Sequence, residues 1–207
     1  GPLTGEMGTS MFWCEPNKLF KETTGKMEED LRKSGYVGYI DINCMVNGRG
    51  IYPLEFTTRF GYPTISIQQE GVLSEWGEFL HAIANHQDYQ LRTKRGFQIG
   101  VVCVVPPFPY HDHTQMEIYK DLSILFKKPY LEGIHLGDIK IVDNIWRVAG
   151  NSAYVLIVTG GGFTMEEARK QAYLRIENII LVNMFYRTDI GTAWGEESDK
   201  LMTWGYI

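Results

Sequence analysis

Apolar residues recur along this chain with two different periods, and each change of period marks an element. From Pro16 to Lys33, Leu19, Phe20, Met27 and Leu31 stand among charged residues at helical spacing. Thr23, Thr24 and Gly25 weaken the middle of that helix, and Gly35 is a suitable stop. YVGYIDINCMV (36–46) then reads as a strand, NGRG (47–50) as a turn, and IYPLEFTT (51–58) as the returning strand of a hairpin. Pro53 has no N–H to give a ladder, which puts the second strand at an edge or beside a bulge. LSEWGEFLHAIANH (73–86) predicts an amphipathic helix with Leu73, Trp76, Leu80, Ile83 and Ala84 on one side.

The polar interval LRTKRG (91–96) separates that part from a more apolar one, and is the expected domain boundary. FQIGVVCVVPPFPY (97–110) predicts a strongly apolar strand stopped by prolines. A looser stretch with two strand-like pieces, EGIHLG (132–137) and DIKIVD (138–143), runs to about residue 150. AYVLIVTGGG (153–162) predicts another buried strand. The helix over 164–180 opens on a Thr164–Glu167 capping box and repeats Ala168, Ala172, Ile176 and Ile179 on one face. NMFYRTDIG (183–191) predicts a closing strand and turn, and the late aromatics of TAWGEESDKLMTWGYI (192–207) predict a tail docked on its own or a neighbouring chain. This order of elements is α+β.

Composition narrows the partners. Over 207 residues the apolar fraction of 44% and aromatic fraction of 13% support a packed core. A net charge of −5 without long like-charge runs argues against nucleic acid or an anionic membrane as partner. Cys14, Cys44 and Cys103 are an odd set at wide spacing, so free thiols in a reducing compartment, the cytoplasm, are expected. No apolar run has membrane-spanning length, and GPLTGEMGTSMFW (1–13) lacks the pattern of a secretion signal. The first residue is not Met, so the expectation is a chain cut from something longer.

The candidate chemistry lies on the hairpin. Glu55, Thr57 and Arg59 alternate along an extended segment and would share a face, with Leu54, Phe56 and Phe60 on the other. Asp41 sits on the facing strand, about 4.8 Å away. Two carboxylates with no thiol or histidine nearby suit Mg²⁺, which takes its other ligands from water and phosphates. Arg59 could present a planar fork to a phosphoryl oxygen. The competing reading is an ordinary exposed face that keeps a strand soluble.

Gly38-x-x-Asp41, a hairpin, then Glu55-x-Thr57-x-Arg59 resembles the metal-binding end of the ATP-grasp ligases. Within that superfamily the resemblance narrows to glycinamide ribonucleotide synthetase (phosphoribosylamine–glycine ligase). GPLTGEMG (1–8) is similar to that family's Gly-Pro-Asn-Thr-Gly-Gly-Met-Gly loop, and LEFTTRFGYPT (54–64) to its Ile-Glu-Phe-Asn-x-Arg-Phe-Gly-Asp-Pro-Glu. VVCVV with its prolines, GGGFTMEEARKQAY and FYRTDIG follow in the family's order. The likeness is to the second half of a longer enzyme.

The resemblance implies residues 1–92 as the later portion of an ATP-grasp domain, an antiparallel sheet with helices. It implies 97–207 as a small α+β C-terminal domain. It further implies ATP and Mg²⁺ (or Mn²⁺) as cofactors, and glycine and phosphoribosylamine as small-molecule substrates joined through an acyl phosphate in purine biosynthesis. Asp41, Glu55 and Thr57 would be metal ligands, with Asn43 as the alternative first ligand. Arg59 would steady the phosphoryl group, and the loop with Gly5 and Gly8 would offer backbone N–H groups. The N-terminal half, in cis or in trans, would be needed for turnover.

The departures fall at polar positions. The family's Asn is Thr57, its Asp is Tyr62, its following Glu is Thr64, and its Gly-Gly-Arg before the VLIVT strand is Ser152, Ala153 and Tyr154. In the loop, its Asn is Leu3 and a Gly is Glu6. These changes admit a second expectation, a lapsed or re-aimed paralogue serving as a binding or assembly scaffold. His111 and His113 could bind zinc but lack a third ligand, so a solvated loop is expected there. Gly160–Gly162 reads as a turn.

Overall fold

A computed structural model describes residues 7–207. In chain order the elements are β1 (Gly8–Phe12), α1 (Lys18–Glu22), a 3₁₀ turn (Thr24–Met27), α2 (Glu28–Ser34), β2 (Asp41–Asn47), β3 (Gly50–Thr57), α3 (Thr64–Glu70) and α4 (Trp76–Ala84). The later half holds β4 (Phe97–Val104), α5 (His113–Tyr119), β5 (Ser123–Phe126), β6 (Ile134–Leu136), β7 (Ile139–Val142) and β8 (Ile145–Val148). It closes with β9 (Tyr154–Gly162), α6 (Met165–Glu177), β10 (Ile179–Ile180) and α7 (Trp194–Thr203).

The main sheet is antiparallel in the order β1-β4-β9-β6. β4 and β9 are its centre because both faces are covered, and such strands read as unbroken apolar runs. On one face α6 lays down Ala168, Ala172 and Ile176, each at most 1% exposed. The helix can approach because Gly160 has no side chain: a Cβ there would lie 2.5 Å from Ala172 N. On the other face α3 contributes Ile67, fully buried. A second antiparallel sheet runs β10-β5-β8-β7, and β2–β3 form a separate two-stranded hairpin.

The α+β expectation holds, with mixed helix and antiparallel sheet. β1, from the first part of the sequence, pairs with β4, so the main sheet draws strands from both sides of the 91–96 interval. The first helix breaks at Thr23, where threonine and glycine weaken the sequence, and α2 ends with Gly35 in the left-handed conformation. Thr164 and Glu167 make both hydrogen bonds of the capping box. Pro53 lies beside a register shift at Asn43/Cys44, as its missing N–H requires.

Four expectations need correcting. Gly160–Gly162 is not a turn: it extends β9, with Gly162 opposite Phe97. The first hairpin strand starts at Asp41 rather than Tyr36. The stretch after the prolines is not loose but carries α5, β5 and β8 besides the two expected strands. NMFYRTDIG forms no strand; it touches β4 through one bridge, Val104 to Phe185.

Candidate active site

The hairpin register decides which side chains can cooperate. Asp41 lies opposite Thr57, and Asn43 opposite Glu55. Directly opposed residues of an antiparallel pair share a face, so these four side chains project from the same side. Asp41 and Glu55 are diagonal neighbours there, with Asn43 and Thr57 completing the square. Asn43 Nδ2 donates to Glu55 Oε1 at 3.2 Å, and Glu55 is exposed.

Asp41 is half-buried, and its Oδ1 is sealed from solvent with no hydrogen-bond partner among the described residues. A carboxylate oxygen under cover is costly unless a cation or donor reaches it, and the Tyr39 phenol is the donor beside Asp41. Nearby, Gln68 Nε2 donates to the Tyr39 hydroxyl at 3.1 Å. Burial pushes the Tyr39 phenol up; the Gln68 hydrogen bond opposes this and the Asp41 carboxylate adds to it.

The oxygen-only donor set (two carboxylates, an amide and a hydroxyl) fits a hard divalent cation. Among the described residues no group of three or more His, Cys, Asp or Glu is placed to hold a metal; the carboxylates on this face are Asp41 and Glu55.

Arg59 departs from the expected alternation. β3 ends at Thr57, and Arg59 sits in a bend beyond it, exposed, with Nη1 donating to the Phe60 carbonyl at 3.0 Å. Gly8 opens β1 at φ 140°, and a Cβ there would lie 2.4 Å from Gly100 O, so close strand approach is reason enough for glycine. Gly5 lies outside the described residues.

Two of the positions that depart from the family pattern meet in space. Tyr62 and Tyr154 pack with ring centroids 5.1 Å apart. The turn before Tyr154 is held by the buried Asp138, which accepts from the N–H groups of Asn151, Ser152 and Ala153 at 2.8, 2.8 and 3.1 Å. His111 and His113 are exposed, and the Asp112 between them caps α5 by accepting from Gln115 N at 3.1 Å. That motif is a helix start.

A second polar cluster was not visible in the sequence. Glu70 Oε2 accepts from Thr159 Oγ1 at 2.8 Å and from Arg175 Nη1 at 3.1 Å. Arg175 also donates to Thr159 O at 2.7 Å and reaches Glu132 at 2.8 Å. With the Thr159 proton directed to Glu70, His135 Nε2 donates to Thr159 Oγ1 at 3.0 Å. Burial pushes His135 down, Glu70 opposes that and Arg175 adds to it. These partners are 16 to 105 residues apart in sequence, so no local spacing announces them.

Fold and hairpin together define an α+β chain of the ATP-grasp type, and solved structures agree. A phosphoribosylamine–glycine ligase from Thermotoga maritima superposes with a TM-score of 0.66 at 25% identity, over 92% of this chain and 47% of that one. The biotin carboxylase subunit of pyruvate carboxylase matches in fold, with a TM-score of 0.56 at 12% identity, over 90% of this chain and 41% of that one.

The particular likeness is to phosphoribosylamine–glycine ligases. The Clostridium acetobutylicum protein is 26% identical over 93% of this chain and 47% of its own length. That of Caldanaerobacter subterraneus is 29% identical over 94% of this chain and 47% of its own. The chain thus spans about half the length of the curated relatives it matches, the C-terminal part. No family model matches it.

Proposed function

We propose that this chain is the C-terminal half of an ATP-dependent carboxylate–amine ligase of the phosphoribosylamine–glycine type, acting in cytoplasmic purine synthesis. Residues 1–92 are the later portion of the ATP-grasp domain and 97–207 the small C-terminal domain, with β1 and α3 lodged on the latter's sheet. The observation that carries this reading is the shared hairpin face of Asp41, Asn43, Glu55 and Thr57.

On that face Asp41 and Glu55 would hold Mg²⁺, with Asn43 or Thr57 as a further oxygen ligand. The bound ion would neutralise phosphate charge while glycine is converted to its acyl phosphate. Asn43 orients Glu55 through their hydrogen bond. Arg59, exposed beyond the strand end, can swing from the Phe60 carbonyl to a phosphoryl oxygen. By the resemblance, the loop with Gly5, which ends where Gly8 enters β1, would offer backbone N–H groups to substrate. The amine of phosphoribosylamine then attacks the acyl carbon and displaces phosphate. Turnover requires the preceding half, in cis or in trans.

A second reading is supported by the Tyr62–Tyr154 ring pair: a chain that keeps the scaffold after losing charged groups of its site. Calorimetric titration of Mg-ATP into the chain joined to the preceding half separates the two. Binding that weakens about tenfold or more in Glu55→Gln is expected from a lost carboxylate ligand. Binding indifferent to that change removes the metal assignment and favours the scaffold.

A further inference from the structure

The β2–β3 hairpin is held at both ends. At its base it continues into the chain; at its tip it meets the C-terminal tail. The Gly48 turn lies against the indole of Trp204, and a Cβ on Gly48 would stand 2.8 Å from Trp204 Nε1. Two residues on, Tyr206 is 6% exposed, with Lys18 Nζ 4.9 Å from its ring centroid. The tail therefore touches the hairpin turn and α1. Neither strand of the hairpin has a buried residue, and neither do α1, the 3₁₀ turn or α2.

The root of the tail is firm. Trp194 packs 5.3 Å from Phe12 and 5.5 Å from Phe97, both on the main sheet. Through α7, the sheet is connected to Trp204 and so to the hairpin tip. A lone two-stranded hairpin is marginal in water, so whatever touches its tip has a large share in fixing its direction. An indole is rigid and wide, and Gly48 lets it sit directly on backbone.

We propose that Trp204 is a positioning residue: its seat on Gly48 sets the hairpin, and with it Asp41 and Glu55, relative to the main sheet. This rests on the reading of that face as a Mg²⁺ site.

The test uses the 207-residue chain with Trp204→Ala, Trp204→Phe, Gly48→Ala and Glu55→Gln, reading amide hydrogen exchange and the affinity for Mn²⁺ alone. Trp204→Ala should raise exchange in β2 and β3 about tenfold while leaving β4 and β9 unchanged. Mn²⁺ affinity should fall about fivefold, with Trp204→Phe restoring most of both effects. Gly48→Ala should reproduce Trp204→Ala from the opposite side of the contact, so a tail truncated in its own folding cannot mimic the result. Unchanged hairpin exchange, or looser exchange with unchanged Mn²⁺ affinity, overturns the positioning role. If wild type and Glu55→Gln bind Mn²⁺ alike, the metal reading itself falls and takes the positioning role with it. A Glu55-dependent affinity that ignores Trp204 sinks the positioning role alone.

Discussion

The main sheet and the β2–β3 hairpin are both antiparallel, yet they are stabilised in opposite ways. In β4 seven of eight residues are buried; in the hairpin none is. Met45, Leu54 and Phe56 stand 62%, 66% and 49% exposed, so much of the hairpin's apolar surface has no cover. The difference separates the part that supplies stability from the part that carries the candidate ligands. The sheet with α6 is a finished core, whereas the hairpin carries the candidate ligands on an element the chain itself barely supports.

Four substitutions or conditions break or sharpen this contrast. The largest effect belongs to the sheet: Leu156→Ala should cost about 3 kcal/mol in urea unfolding, through a cavity at a fully buried site. A loss under about 1 kcal/mol would mean the core closes around the gap. Next is the cross-link between the two sequence parts. Arg175→Met strands Glu70, whose side chain is 8% exposed, with Lys94 at 3.6 Å as remaining cation. About 2 kcal/mol should be lost, and restored in part by Glu70→Gln on top of it.

A smaller effect is pH-dependent. His135 is pushed below its ordinary value of 6.5, so its neutral form is favoured in the fold. The unfolded chain takes up the proton first as pH falls below 6.5, which disfavours folding. That stability is fully present above the unfolded value and is lost as pH falls through the lowered folded one. His135→Asn should flatten the difference between unfolding midpoints at pH 7 and pH 5; equal slopes in both proteins would contradict it. The smallest effect belongs to the hairpin. Leu54→Ala should change stability by no more than about 0.5 kcal/mol, since the side chain is 66% exposed. A core-sized loss there would show the hairpin to be packed after all.

How far the sequence could be read follows from what kind of contact each element depends on. β4, β9 and α6 were legible because local signals agree: apolar runs, a capping box and small residues on one helix face. The hairpin was legible through its turn and Pro53, and the register then placed Asp41, Asn43, Glu55 and Thr57 together. Arg59 was misplaced, because alternation was extended past the point where pairing stops at Thr57. α3 was missed: TISIQQE has β-branched residues and no periodic stripe, and it exists because Ile67 is received by the main sheet. The tail's docking was foreseen from its aromatics, but its seats on Gly48 and against Lys18 were not.

The sequence by itself determined the buried strands, the long capped helix, the turn that pairs β2 with β3 and the acidic character of their shared face. These are set within a few residues, where side-chain period and backbone hydrogen bonding act directly. Tertiary structure alone decided that β1 joins β4, that Glu70 finds Arg175, that Tyr62 meets Tyr154 and that Trp204 rests on the hairpin tip. Those contacts join groups far apart along the chain, and only the burial of the sheet between them brings such groups within reach.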